Sequence, residues 1–309
     1  MTHKPLFAYF LILIALCAGF IVGAKMMGEQ GMVLAQGYML TPALAALITR
    51  AFFYEKKFSD ANLRFGRLGD YGKFWLVSLG ITALSYVFFF AFGAIRLDLS
   101  GQEFLRRLAE QFAAVGQDME ASLPPGFTPQ MMLLIYFIGG LTVFNILPGL
   151  ITGFGEEFGH RGFMFPALYR VPQTSVRAAQ GQVETRRTWF ALIVGGLIWY
   201  AWHLPLAFVI PQTADVPLGE TILNFIVLGV GSVCAFIYLA YVYVKTRSVW
   251  VASFAHIVMN NSASAFSYFA VIQNQLLANV GLMAAMVIVA VILIRRGALG
   301  TFAEYFRAE

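Results

Sequence analysis

The composition of this 309-residue chain is that of a membrane protein rather than a soluble one. Hydrophobic residues make up 59% of it and charged residues only 12%, about half the charged fraction of a typical soluble domain. The net charge of +5 does not indicate nucleic-acid binding, because the basic residues cluster in short loops between apolar runs. Cys17 and Cys234 lie in different apolar runs without metal-ligand spacing, which argues against a disulfide framework.

Eight apolar runs follow one another along the chain, most of them near the ~20 residues that a membrane-spanning helix needs. They are residues 6–24, 32–53, 74–95, 131–169, 189–209, 222–244, 249–270 and 276–294. Pro42 is expected to kink the second run. The fourth run contains Pro148 and is either one long kinked helix or a span followed by a short helix. The sequence therefore predicts an all-α polytopic membrane protein, a bundle of about eight transmembrane helices with an intramembrane polar cavity.

A polar segment, residues 98–125, separates the third and fourth runs. Phe104, Leu108 and Phe112 recur in it at helical spacing, which indicates an interfacial amphipathic helix that Pro124-Pro125 ends. We therefore expect two parts. Residues 1–125 hold three transmembrane helices and this amphipathic helix, and residues 126–309 form a catalytic transmembrane domain with the polar motifs described below.

The basic residues predict the orientation in the membrane. If the N-terminus is cytoplasmic, the outer segments hold only Lys25, Arg96, Arg106 and Arg107. The inner segments then hold Lys4, Lys56, Lys57, Arg64, Arg67, Lys73, Arg170, Arg177, Arg186, Arg187, Lys245, Arg247, Arg295, Arg296 and Arg307. Because cytoplasmic loops carry an excess of Lys and Arg, we expect both termini in the cytoplasm. The short loops are typical of a protein of the bacterial inner membrane.

Three polar motifs interrupt the apolar runs. They are Glu156-Glu157-x-x-x-Arg161, Trp199-x-x-x-His203 and His256-x-x-x-Asn260. A charged side chain at membrane depth costs roughly 2.5 to 3.5 kcal/mol on insertion scales, so such residues are functional candidates by default. Together the motifs supply carboxylates, two imidazoles and an amide, which predicts that they converge on one site.

The first motif separates two roles. Glu157 and Arg161 are four residues apart and share a helix face, which favours a structural ion pair. Glu156 points about 100° away from Glu157 on a helix and lacks such a partner, which makes it the candidate general base. His160 is four residues after Glu156 and either hydrogen-bonds to it or is an incidental helix residue.

The other two motifs are weaker alone than together. His203 by itself would be interpreted as a satisfied core histidine, and His256 with Asn260 as an interhelical hydrogen-bonding pair. The zinc helix of metalloproteases and the serine nucleophile elbow are both missing from the sequence. Water activated by a carboxylate and a histidine, with an imidazole and an amide stabilising an oxyanion, is sufficient for peptide hydrolysis.

The three motifs in this order resemble those of the CAAX protease and bacteriocin-processing (CPBP/Abi) intramembrane proteases, which include the type II CAAX prenyl endopeptidases. The resemblance covers about residues 141–270, and Trp199 departs from the Phe that most often begins the second motif. It implies an intramembrane endopeptidase with a cavity open to the cytoplasmic side. Glu156 would activate water with help from His203. His256 and Asn260 would stabilise the oxyanion, and Glu157 with Arg161 would brace the first motif.

The resemblance also sets the expected cofactors and partners. No cofactor is expected, but zinc is the alternative, with His203, His256 and Glu156 as its ligands. The expected partners are membrane lipid and a peptide or protein substrate, either a lipidated tail or a bacteriocin precursor, and not nucleic acid. The competing functions are a non-enzymatic immunity or scaffold protein and a proton-coupled transporter. The intact set of polar residues favours the enzyme, and the lack of inverted repeats argues against transport.

Overall fold

The computed structural model describes residues 4–31, 37–114, 116–119, 126–171, 180–208 and 217–308, most of them in helices. The elements are α1 (Lys4–Met26), α2 (Thr41–Phe52), α3 (Leu68–Ala91), β1 (Ile95–Leu97), α4 (Gln102–Ala114), α5 (Pro129–Leu141), α6 (Val143–Gly159), α7 (Phe165–Tyr169), α8 (Gln180–His203), α9 (Leu218–Thr246), α10 (Val249–Ser267), β2 (Ala270–Ile272), α11 (Gln275–Arg295) and α12 (Ala298–Arg307). A π-helical turn, His160–Met164, joins α6 to α7. The predicted all-α polytopic membrane fold is confirmed.

Fewer helices than predicted are suited by themselves to span a membrane. In the described part of the chain, five of them, α1, α3, α8, α9 and α11, are long and apolar enough. The pair formed by α5 and the helix that follows it, bent by 42°, makes a sixth span if it is counted as one. The remaining two predicted runs fall short for different reasons. α2 has only 12 residues, and α10 carries the polar residues of the third motif.

Two prolines act differently from the expectation. Pro42 does not kink a long helix but lies in the first turn of α2. The backbone N–H groups of a first turn have no acceptor within the helix, so the N–H that proline lacks is not missed there. The start of that run, residues 32–36, lies outside the described residues. In the fourth run the bend falls at the extended Thr142 rather than at Pro148, which sits inside α6. The run is therefore two helices that meet at an angle.

Glycines of helix α6, which carries the two glutamates, let the neighbouring helices approach closely on both sides. A Cβ on Gly153 would come within 2.4 Å of Ile257 on α10, and one on Gly159 within 2.4 Å of the Pro42 carbonyl carbon on α2. Such close approach of backbones is typical of small residues in membrane helix packing. The main hydrophobic core includes Tyr9 and Leu13 of α1 together with residues of α6 to α12. The division at residue 125 stays a prediction.

A small cap, formed by β1, β2 and α4, covers the end of the bundle where α3 and α10 end. β1 and β2 pair antiparallel, with Ile95 opposite Ile272. The predicted amphipathic helix is α4, and its buried Phe104 and Leu108 pack with Met132 and Leu133 of α5. Its apolar face is therefore covered by protein. Pro124-Pro125, predicted to end this segment, lies outside the described residues.

Candidate active site

The first motif lies where the helix changes type. α6 ends at Gly159, and the next five residues, His160–Met164, form a π-helical turn whose side chains are all buried. Single π-helical turns inside α-helices occur frequently at functional sites. Glu156 and Glu157 lie in the last turn of α6, and they are 4% and 0% exposed, so both acids are in the interior.

One oxygen of the Glu157 carboxylate has two hydrogen-bonding partners. Its Oε1 accepts a hydrogen bond from Arg161 Nη1 at 2.8 Å and lies 2.9 Å from His256 Nδ1. The Arg161 guanidinium carbon lies 4.3 Å from the Trp199 ring centroid and 4.2 Å from that of Phe236, so two aromatic rings enclose the cation. Because an ionised carboxylate only accepts, Nδ1 of His256 carries the proton, and Nε2 is left for other partners.

The carboxylate of Glu156 has a different set of neighbours. Trp199 donates a hydrogen bond from Nε1 to its Oε2 at 3.1 Å, and His203 Nε2 lies 3.7 Å from the same oxygen. His203 in turn donates from Nδ1 to the Trp199 backbone carbonyl, at 2.8 Å, because that oxygen only accepts. This bond orients the His203 ring so that Nε2 faces Glu156.

His160 does not bind the Glu156 carboxylate. Its Nδ1 lies 3.0 Å from the Glu156 backbone carbonyl, one turn earlier, and its ring packs edge-on against Trp202 at 5.2 Å between centroids. Among the described residues, the buried Nε2 has no hydrogen-bond partner. The structure therefore gives His160 a place in the helix turn that carries Glu156, without contact to that side chain.

Asn260 and His203 are brought to one cavity. A cavity of about 400 Å³ lies among α3, α8, α9, α10 and α11, and its wall includes Trp199, His203, Met259 and Asn260. The His203 side chain is 37% exposed whereas that of Glu156 is 6% exposed. Glu156 thus lies behind the cavity wall, and His203 separates it from the open space. Asn260 is exposed one turn after His256 and, among the described residues, takes no part in the network of Glu156 and Glu157.

The zinc alternative names His203, His256 and Glu156 as ligands. Within the described ranges, no group of three or more His, Cys, Asp or Glu side chains is placed to hold a metal ion. Glu156 and His203 are neighbours, but His256 pairs with Glu157 instead. Because Nε2 of His256 is left for other partners, zinc on His203, His256 and Glu156 stays an alternative prediction.

Sequence reasoning missed Trp199 as a partner of Glu156. The available signal was that Trp199 stands where the family most often has Phe. Phe has no hydrogen-bonding group, whereas the indole of Trp carries an N–H donor. The indole is the group that fixes Glu156 Oε2 toward His203.

A second missed residue is Arg50 of α2, which is 1% exposed. It donates from Nη2 to the Gly162 carbonyl in the π-helical turn at 2.6 Å, and from Nη1 to Asp60 at 2.7 Å. Burial alone would raise the pKa of Asp60, but hydrogen bonds from Arg50 and Tyr54 and the charges of Arg50 and Arg170 hold it below its usual value. An isolated arginine inside an apolar run was the signal for this residue.

The two glutamates should differ in their effect on stability. Glu157→Gln removes the charge that compensates Arg161 and His256, so we expect a loss of roughly 3–5 kcal/mol. Glu156→Gln leaves the Arg161 ion pair intact and should change stability much less. Unfolding of both variants in detergent, followed by tryptophan fluorescence against denaturant, measures the difference. Equal destabilisation by the two substitutions would contradict this assignment.

Trp199 should act on the rate through Glu156. Trp199→Phe keeps a ring beside Arg161 but removes the hydrogen bond to the carboxylate, worth about 1.5–3 kcal/mol, so kcat should fall roughly 10- to 100-fold with little change in KM. Trp202→Phe is the matched control, because the Trp202 indole donates to Thr41 and not to Glu156. A similar kcat in the two variants would show that the Glu156 bond does not matter for the rate.

Comparison with known proteins supports the family that the motifs resemble. Residues 138–262 match the model of the Rce1-like family, described as type II CAAX prenyl endopeptidase Rce1-like. No match was found among curated proteins. The matched segment includes all three motifs and is less than half of the chain. The family prediction is confirmed over this segment, which supports a membrane-embedded peptidase that acts on a peptide or protein. Over residues 138–262 the chain is thus similar to the Rce1-like type II CAAX prenyl endopeptidases.

Proposed function

We propose that this protein is an intramembrane endopeptidase that hydrolyses a peptide bond near the membrane surface, with Glu156, His203, His256 and Asn260 as its catalytic residues. The observation that carries the proposal is the pairing of Glu156 with His203 at the wall of a cavity that also contains Asn260. Glu157 and Arg161 support this site as a buried ion pair.

Glu156 is the general base in this proposal. A water molecule in the cavity beside His203 transfers a proton toward the Glu156 carboxylate as its oxygen attacks the peptide carbonyl carbon. The neutral His203 ring presents the lone pair of Nε2 toward Glu156 and the cavity, so it can accept a proton between them. Collapse of the tetrahedral intermediate breaks the C–N bond, and the stored proton passes to the leaving amine.

His256 and Asn260 stabilise the oxyanion in this proposal. The amide of Asn260 donates from its NH₂ group into the cavity. Since His256 Nδ1–H is directed to Glu157, donation from Nε2 requires a doubly protonated ring, and the Glu157 carboxylate at 2.9 Å is placed to stabilise that charge. Glu157, which supports the first motif, therefore also influences the protonation state of His256.

The proposed substrate and setting are supported by the family match and by the charges of the chain. The protein is an integral membrane protein, and we place it in a bacterial inner membrane because of its short loops. We place both termini in the cytoplasm because of its basic-loop asymmetry. Its substrate is a lipidated protein tail or a precursor peptide such as a bacteriocin precursor. Residues 126–309 form the catalytic part, and residues 1–125 support it.

Asn260 and zinc together test the metal-free mechanism. Removing one oxyanion donor typically costs about 10²- to 10³-fold in turnover, so Asn260→Ala should lower kcat by that factor and leave substrate binding unchanged. Elemental analysis of active, detergent-purified protein should find no stoichiometric zinc, and a chelator should not inhibit. One zinc per chain, lost in both His203→Ala and His256→Ala, would instead support the zinc-dependent alternative.

A further inference from the structure

We propose that Arg50 of α2 is a positioning residue for Glu156, because its guanidinium group holds the π-helical turn that follows this carboxylate. Arg50 donates to the Gly162 carbonyl in place of the backbone N–H that Pro166 lacks. This role rests on the proposed function in so far as Glu156 is the base, but the hydrogen bond itself does not.

Pro166 removes one hydrogen bond from the helix that leads away from the glutamates. In an α-helix each carbonyl accepts from the backbone N–H four residues later, which for Gly162 would be that of residue 166. Proline has no N–H, and its ring crowds the carbonyl four residues before it. The α-helical partner of the Gly162 carbonyl is therefore missing, in a turn whose residues are all buried. A buried carbonyl needs another donor, because leaving it unpaired costs as much as a lost hydrogen bond.

Arg50 is that donor. Its Nη2 donates to the Gly162 carbonyl at 2.6 Å. Its guanidinium carbon lies 5.4 Å from the ring centroid of Phe163, the next residue of the turn. A hydrogen bond from a charged donor is about twice as strong as one between neutral groups. A side chain of α2 thus satisfies the carbonyl that Pro166 leaves without its helical partner.

The loop after α2 holds the guanidinium group of Arg50 in place. Its Nη1 donates to Asp60 Oδ1 at 2.7 Å and to the carbonyl of Lys57. The other oxygen of Asp60 accepts from the Tyr54 hydroxyl at 2.5 Å and lies 3.4 Å from Arg170 Nη1. Because the donors of a guanidinium form one rigid plane, holding Nη1 also sets the direction of Nη2. The loop therefore directs Nη2 toward the π-helical turn.

The π-helical turn is bonded in turn to the backbone of both glutamates. Its first residue, His160, donates from its backbone N–H to the carbonyls of Glu156 and Glu157. Its second residue, Arg161, donates to the Glu157 carboxylate. If the turn rewound by one residue, the side chains on its two sides would rotate about 100° relative to each other. The bond from Arg50 therefore helps to fix the backbone from which the Glu156 carboxylate projects toward α8.

Two substitutions remove the bond and a third returns a donor to the chain. In the full-length protein, Arg50→Met removes the guanidinium group and Asp60→Asn removes the carboxylate that it compensates, so that this carboxylate is not left behind as a buried charge. Adding Pro166→Ala returns a backbone N–H four residues after Gly162. Pro148→Ala is the matched control, because Pro148 also lies inside a helix but not four residues after Gly162. Each protein is purified in detergent for measurement of unfolding against denaturant and of kcat and KM on internally quenched membrane-associated peptides.

Arg50→Met with Asp60→Asn should lower kcat roughly 10- to 100-fold with little change in KM, because a bond from a charged donor is lost. The unfolding equilibrium constant should rise by a similar factor. Pro166→Ala should reverse most of both changes, and Pro148→Ala should reverse neither. Equal recovery with both prolines, or recovery with neither, would overturn the proposal, because Arg50 would then serve only its ion pair with Asp60.

Arg50→Lys replaces the pair of substitutions if that variant does not fold. Lys keeps a charge beside Asp60 but cannot hold Asp60 and Gly162 with one planar group, and the same difference between Pro166→Ala and Pro148→Ala is expected. A loss of kcat/KM through KM alone would overturn the positioning role. Absence of peptidase activity in the wild-type protein would refute the proposed function, and the unfolding measurements would still test the bond, so the two failures are distinguishable.

Discussion

The structure depends on the compensation of one buried carboxylate, that of Glu157. It is 0% exposed, and it is neutralised by Arg161 on its own helix and contacted by His256 from α10. A buried charge without a partner costs several kcal/mol, so this contact fixes how α6 and α10 sit against each other. The glycines of α6 allow the close approach that the contact needs. Every other feature of the site is positioned relative to this pair of helices.

Two adjacent glutamates have different neighbours because a helix directs neighbouring side chains about 100° apart. Glu157 contacts a guanidinium and an imidazole, as a structural ion pair would require. Glu156 faces the second motif, where an indole N–H holds one oxygen and a partly exposed histidine connects it to the cavity. The proposed base is therefore shielded from lipid but remains next to a place where water and a peptide can meet.

Periodicity and charge predicted the parts of this arrangement that are local. The four-residue spacing of Glu157 and Arg161 was sufficient to predict their ion pair, and the insertion cost of charges singled out all three motifs. Contacts between distant residues were not predictable in the same way. The hydrogen bond from Trp199 to Glu156 depends on how α8 packs on α6. The hydrogen bond from Arg50 to Gly162 depends in the same way on how α2 packs there. The π-helical turn and the role of Pro42 at the start of α2 likewise follow from packing, because the same residues are compatible with a continuous helix.

Single-turnover cleavage with purified Glu156→Gln in liposomes shows whether Glu156 is the general base. The substrate would be a pool of internally quenched membrane-associated peptides from which the wild-type protein releases products. Loss of a positioned base costs about 10²- to 10⁴-fold, so we expect the cleavage rate to fall by that factor while unfolding and peptide binding stay unchanged. Cleavage by Glu156→Gln at a rate near that of the wild-type protein would contradict this expectation.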